Sequence, residues 1–230
     1  NFLDTKMSFF VMFLLVGITI VVSQEPLFID VYYESCDVGS QTFISGTFND
    51  AWNTPGYQDM VIMSLIPWGN CTEIYNSQTD MWEFTCPNGV NECNANLITS
   101  CYINITNNRP ETYVPFTIQY MTQLKQNNCN GNVFDIAQNV CNNNVNCTWD
   151  TLNSCATSKL GNEIYHESGQ KTQGQLLESL PWITISGQHG PPLELGCRES
   201  LTLCTCIEYP GSNPACPFNK KYNNTKLYNQ

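Results

Sequence analysis

The apolar positions fall into blocks of different period, and each block predicts a different element. Leu27-Phe-Ile-Asp-Val-Tyr-Tyr33 is apolar or aromatic except for Asp30, and it is rich in β-formers. It predicts a buried strand. Met60-Val-Ile-Met-Ser-Leu-Ile66 is a second near-continuous apolar run, as for a parallel strand covered on both faces. Between them Ile44, Phe48 and Trp52 recur every four residues and mark one face of a helix, which Thr54-Pro-Gly56 stops. Strand, helix and strand make a βαβ unit. Residues 69–110 are rich in Cys, Asn, Gly and Thr and read as loops pinned by disulfides. Residues 111–173 regain helical spacing. Tyr113, Phe116 or Thr117, Tyr120 and Leu124 share a face, and Pro115 sits near the start, where a proline is tolerated. Asn127 to Gly131 breaks that helix. Shorter helices are predicted around 132–142, 147–157 and 159–172. Leu180-Pro-Trp-Ile-Thr-Ile-Ser186 alternates as a strand with its proline at the start. Gly187 to Pro192 is a turn, and Leu195 to Ile207 a closing helix. The predicted order is βαβ, a helical insertion, a β-hairpin and a helix. No internal repeat interrupts it.

Composition narrows the setting. Charged residues make up 13% of the chain and the formal net charge is −11, with nine Lys and Arg in all. Phosphate binding needs clustered cations, so nucleic acid is not an expected partner, nor is an anionic membrane surface. Phe9 to Val22 is an uncharged run of 14 mostly apolar residues. That is short for a membrane span, which needs about 20 residues, and suits the core of a signal peptide. Val21 and Ser23 precede a cleavage site before Gln24. Residues 1–23 are therefore read as signal, with 1–6 upstream of a start at Met7, and 24–230 as one domain with its insertion at about 69–173. No stable membrane anchor is expected after cleavage. Thirteen cysteines fit a compartment where thiols are oxidised. An odd count leaves at least one thiol free or bonded to another molecule. His166 and His189 are the only histidines, and no Cys pairs recur at zinc spacing, so no metal is expected. Sequons at Asn70, Asn104, Asn146 and Asn223 fit glycosylation along the secretory pathway.

Several spaced motifs then occur in a telling order. They are Val31-Tyr-Tyr-Glu-Ser35, Ile66-Pro-Trp-Gly-Asn70, and Trp82-Glu-Phe84 leading into Cys86-Pro-Asn-Gly-Val-Asn-Glu-Cys93, Asn96 and Cys101. Leu160-Gly-Asn-Glu163, Lys171-Thr172, Pro181-Trp182 and Glu208-Tyr-Pro-Gly211 with Cys216 follow. Over residues 27–216 this series resembles the gamma-interferon-inducible lysosomal thiol reductases, although Pro87-Asn88 stands where that family has Gln-His. The resemblance implies an α/β, thioredoxin-like fold with a disulfide-rich helical insertion. It implies reduction of protein disulfides without a cofactor, with disulfide-containing proteins as substrates and a small thiol as reductant. It places the protein in a lysosomal or extracellular location and assigns Pro181 to the substrate groove as a cis-proline. Glu92, inside the signature, reads as a capping or hydrogen-bonding residue.

The active loop departs from this pattern. Counted from Tyr32-Tyr33-Glu34, the family's two catalytic cysteines fall on Asp37 and Ser40, and the chain holds no Cys-x-x-Cys. Its loop cysteine is Cys36, one residue early. The expected catalytic residues are therefore Cys36, acting as a lone thiol while the other twelve cysteines pair, and Ser40 in the second position. The competing reading pairs Cys36 with another cysteine, such as one in Cys204-Thr-Cys206. The corresponding alternative for function is a family member without catalysis, kept as a secreted disulfide-rich binding or structural glycoprotein.

Overall fold

The structure, a computed structural model, describes residues 24–216. The predicted signal segment 1–23 and the sequon at Asn223 lie outside the described residues. The centre is a three-stranded sheet in the order β2-β1-β5, with β1 Leu27–Tyr33, β2 Val61–Pro67 and β5 Trp182–Ile185. β1 and β2 are parallel, from Leu27 opposite Val61 to Tyr33 opposite Pro67. β5 is antiparallel to β1, with Tyr32 opposite Trp182. Ile29, Val31 and Tyr33 are buried on one face and Tyr32 on the other. The central strand therefore carries almost no polar residue.

The βαβ connection runs through α1 (Val38–Phe43), a π-helical turn (Ile44–Phe48) and α2 (Asn49–Trp52). Ile44, Phe48 and Trp52 are all buried, as their spacing predicts. The insertion contains α4 (Pro110–Gln126), α5 (Val133–Asn142), α6 (Trp149–Ala156) and α7 (Lys159–Thr172), close to their predicted bounds. A parallel βαβ unit, a helical insertion and an antiparallel return strand, with helices packed on the sheet, form a thioredoxin-like α/β fold.

Two expectations need correction. Residues 69–110 are not mainly loop. They hold a hairpin of β3 (Thr72–Asn76) and β4 (Met81–Thr85), followed by the 16-residue helix α3 (Val90–Ile105). The hairpin escaped notice because both of its faces are partly exposed, so polar and apolar residues do not alternate cleanly. The helix escaped because its inward face carries polar side chains. Glu92, Asn96, Thr99 and Ser100 are all buried, which erases the usual apolar stripe. The closing hairpin is also absent. β5 ends in a turn bridging Ile185 to Gln188, and the chain enters α8 (Pro191–Glu199), then α9 (Leu201–Glu208). Pro191 and Pro192 lack the N–H groups a return strand would need.

Twelve cysteines pair as Cys36–Cys129, Cys86–Cys93, Cys101–Cys155, Cys141–Cys147, Cys197–Cys204 and Cys206–Cys216. Cys101–Cys155 ties α3 to α6 across a separation of 54 residues. Loop closure of that length stabilises by about 4 kcal/mol in the chain-entropy picture. The thirteenth cysteine, Cys71, is free. No helix among the described residues is long and apolar enough to cross a membrane. Asn70, Asn104 and Asn146 are exposed.

Candidate functional site

The site begins where β1 ends. Glu34-Ser-Cys36 turns away from the sheet, and Asp37 caps α1 by accepting a hydrogen bond from Ser40 N at 2.6 Å. α3 pins this loop from beneath. Asn96 Oδ1 accepts from Ser35 N at 2.9 Å, and Glu92 Oε2 accepts from Cys36 N at 3.3 Å. Gln41 Nε2 donates back to Ser35 O at 2.8 Å. Ser35 N–H, Ser35 C=O and Cys36 N–H, which leave the strand ladder, thus find partners.

Cys36 is not the lone thiol expected. Its sulfur is bonded to Cys129 in the turn between α4 and α5, with the two Cα atoms 5.6 Å apart and a sequence separation of 93. That turn folds back sharply. Asn128 and Cys129 have positive φ values, and Asn91 Nδ2 donates to Cys129 O at 2.9 Å and to Gly131 O at 3.1 Å. Asn91 therefore anchors the turn to the start of α3, which brings Cys129 to Cys36. The pair lies on the rim of an open recess of about 390 Å³, shared with Asn88, Val90, Asn91 and Asn128. Cys36 is 8% exposed, and Cys129 is more accessible.

Ser40 is fully buried, and its Oγ accepts from Glu34 N at 3.4 Å. It sits beneath the loop and not on the recess. Pro181 follows a cis peptide bond. The first turn of α1 reaches its segment at Gly39, where a Cβ would lie only 2.8 Å from Leu180 O. Arg198 Nη2 donates to Pro181 O at 2.6 Å and to Ser179 Oγ at 2.9 Å, holding the proline segment from α8. Loop and proline segment are in contact, and Asp37 and Ser40 occupy the positions where the resemblance places two cysteines.

Cys71 is the actual free thiol, and it lies inside. Tyr165 Oη donates to its sulfur at 3.4 Å and Asn96 Nδ2 approaches at 3.7 Å. Burial, with the Glu34 and Glu92 charges adding to it, pushes this thiol up to about 12. It is therefore neutral at any physiological pH.

Two acids complete the site. Glu34 and Glu92 are 3% and 0% exposed, and each is held by a backbone N–H of a neighbouring loop. Glu92 Oε1 accepts from Asn88 N at 2.9 Å, in keeping with the hydrogen-bonding role read for it, and Glu34 Oε1 accepts from Asn70 N at 2.6 Å. Burial and the neighbouring Glu92 and Asp37 carboxylates push the Glu34 carboxyl up to about 7, against the opposing pull of Asn70 N–H. The sequence reading missed Glu34, Gly39 and Cys129. For Glu34 a signal existed, since an acid directly ending an apolar strand is carried inward with it. For Cys129 there was none, because cysteine spacing does not reveal connectivity.

Comparison with known proteins agrees with this architecture. Residues 28–133 match the family model described as gamma interferon inducible lysosomal thiol reductase. The gamma-interferon-inducible lysosomal thiol reductase of Carassius auratus is 27% identical over 194 residues, covering 83% of this chain and 72% of that protein. GILT-like protein 1 of Drosophila melanogaster is 26% identical over 192 residues, covering 79% and 75%. The Mus musculus reductase is 24% identical over 163 residues, covering 70% and 61%. With its motifs in order along the same scaffold, the chain is similar to the gamma-interferon-inducible lysosomal thiol reductase family over residues 28–133.

Proposed function

We propose that this protein is a thiol–disulfide oxidoreductase that reduces protein disulfides with Cys36 and Cys129 in place of a Cys-x-x-Cys pair. The observation that carries the reading is the Cys36–Cys129 disulfide itself. It joins the loop at the end of β1 to the rim of an open recess. The same loop touches the Pro181 segment through Gly39. The relatives named thiol reductases support it.

In the working cycle a small thiol first reduces the pair and leaves as its own disulfide. The Cys36 thiolate then attacks one sulfur of a substrate disulfide, whose other sulfur departs as a thiolate. The Cys129 thiolate attacks Cys36 Sγ in the mixed disulfide, re-forming Cys36–Cys129 and releasing the substrate with two thiols. Two electrons pass to the substrate, and the small thiol supplies them for the next round. Ser40 stays beneath the loop as a hydrogen-bond acceptor. Val38 and Val90 are 72% and 71% exposed, and they offer apolar contacts to an unfolded chain. Six disulfides and the exposed sequons at Asn70, Asn104 and Asn146 support a glycosylated protein of the secretory pathway, lysosomal or extracellular.

One observation favours the alternative, a binding or structural glycoprotein. Asp37 takes the capping position at the α1 N-terminus, where the helix would otherwise stabilise a thiolate. Turnover of a protein disulfide by added small thiol separates the two readings. Cys36→Ser is expected to lower it by about 100-fold or more. Cys129→Ser is expected to trap a mixed disulfide between Cys36 and substrate, visible by mass spectrometry. Unchanged turnover in both variants overturns the proposal.

A further inference from the structure

Three cysteines converge near Tyr165. Cys71 follows β2, Cys86 follows β4, and Cys93 lies at the start of α3. Tyr165 Oη stands 3.4 Å from the sulfurs of both Cys71 and Cys86. The Cys71 sulfur, the Cys86 sulfur and a carboxylate oxygen of Glu92 all lie within 4.8 Å of one another. Cys93, bonded to Cys86, brings a third sulfur to the same point. All four residues are more than nine-tenths buried. They come from three separate segments, so no ligand spacing in the sequence announces them.

We propose that reduction of Cys86–Cys93 turns this cluster into a zinc site, with Cys71, Cys86, Cys93 and Glu92 as its four ligands. Three thiolates and one carboxylate make a closed tetrahedral set of the structural kind. Around such an ion, with sulfurs at about 2.3 Å and an oxygen at about 2.1 Å, the ligand atoms stand roughly 3.6–3.8 Å from one another. A contraction of about 1 Å or less therefore closes the Cys71, Cys86 and Glu92 atoms on the metal. Glu92 has an acceptor position to spare. Its Oε2 accepts from Cys36 N and from Asn88 Nδ2, while its Oε1 accepts from Asn88 N, which leaves that oxygen a second lone pair.

The steps balance with no change in the oxidation state of the metal. A small dithiol gives two electrons and two protons to Cys86–Cys93 and leaves as its own disulfide. Zinc(II) then replaces the thiol protons of Cys71, Cys86 and Cys93, which pass to solvent. The surroundings suit a bound thiolate. Tyr165 Oη donates to the Cys71 sulfur, and Asn96 Nδ2 approaches that sulfur at 3.7 Å and Tyr165 Oη at 3.2 Å, so both groups orient the sulfur toward its ion. Charge suits a cation as well. Among the described residues the ion pairs are Lys159–Asp80 and His166–Glu73, and the buried Glu92 takes part in neither. While Cys86–Cys93 is closed, Cys71 is the sole thiol of the cluster and stays inert, so the site exists in the reduced protein alone.

The test uses the full folded chain, reduced with a phosphine so that no added thiol competes for metal, and then given zinc(II) or cadmium(II). The reduced protein is expected to show a thiolate-to-cadmium charge-transfer band in the ultraviolet, and the oxidised protein none. X-ray absorption on the zinc form, which needs no variant, should find three sulfurs at about 2.3 Å and one oxygen. Cys71→Ser should weaken binding by about 100-fold or more and Glu92→Gln by about tenfold. The double variant Cys36→Ser/Cys129→Ser lacks the other reducible pair near α3 and should bind within about twofold of the wild type. Fewer than three sulfurs around zinc overturns the site. So does binding that survives Cys71→Ser but is lost in the double variant, and so does a Cys86–Cys93 bond that opens only when the fold is lost. None of these results touches the exchange reading at Cys36–Cys129, which turnover tests separately.

Discussion

The two sulfur sites that α3 contacts differ in partner and surroundings. Cys36–Cys129 joins two irregular segments, one leaving β1 and one between α4 and α5, and borders an open recess. Cys71 lies in a packed cluster. Its sulfur is within 4.8 Å of the Cys86 sulfur, and Tyr165 contacts both. Around them the rings of Trp68 and Tyr165 stand 4.8 Å apart and those of Phe84 and Tyr165 4.4 Å apart. An odd cysteine count correctly announces a free thiol, but the free thiol is the inert one. Reactivity follows access and thiolate character, and the more accessible sulfur, that of Cys129, is stored in a disulfide. Parity says how many thiols are unpaired and nothing about which sulfur can react.

The sharpest way to break this contrast is alkylation. With its thiol at about 12, folded Cys71 should react with a maleimide at neutral pH at least about 1,000-fold more slowly than an ordinary cysteine. One thiol per chain should label once the protein is unfolded without reduction. Rapid labelling of folded Cys71 would contradict the burial argument. A paired substitution sharpens the comparison further. Gly39→Ala drives a Cβ toward Leu180 O, and Gly169→Ala drives one to 2.8 Å from the Trp68 ring. Each should cost about 1–3 kcal/mol in denaturant unfolding, but only Gly39→Ala, which parts the active loop from the proline segment, should slow disulfide reduction, by about tenfold. Equal slowing in both would mean that the proline segment has no special place in the site.

A smaller effect concerns pH and stability. The folded-state carboxyl of Glu34 is raised from 4.5 to about 7, so the folded chain holds a proton that the unfolded chain releases earlier. The linkage sign is then fixed. Stability contributed by this proton is present below about pH 4.5 and is lost as pH rises toward 7, by an amount on the order of 3 kcal/mol. Urea midpoints should therefore be lower at about pH 8 than at about pH 5 on account of this group, and Glu34→Gln should remove most of that difference. A midpoint that falls equally in the variant would place the titration elsewhere.

Legibility from sequence followed the chemistry of each face. β1, β2 and the helices α4 to α7 were readable because one residue class dominates each buried surface. α3 and the β3–β4 hairpin were not. The buried face of α3 is polar and satisfied by hydrogen bonds, as with Asn96 to Ser35 N and Ser100 to Ser168 at 3.1 Å. That polar face is what shapes the site, so the same substitutions that make α3 useful hide it from a hydrophobic pattern. Pro181 and Cys36 were nameable from local motifs. The partner of Cys36 was not, because a contact across 93 residues is a property of the folded chain.

The most direct measurement of the central claim is the order in which the six disulfides open. The protein is titrated with reductant under native conditions, quenched with acid, alkylated and mapped by mass spectrometry. Cys36–Cys129 is predicted to open first, with Cys101–Cys155, whose Cys101 is fully buried, still intact. Cys36–Cys129 persisting until Cys101–Cys155 opens would show a structural staple and contradict its assignment as the exchanging pair.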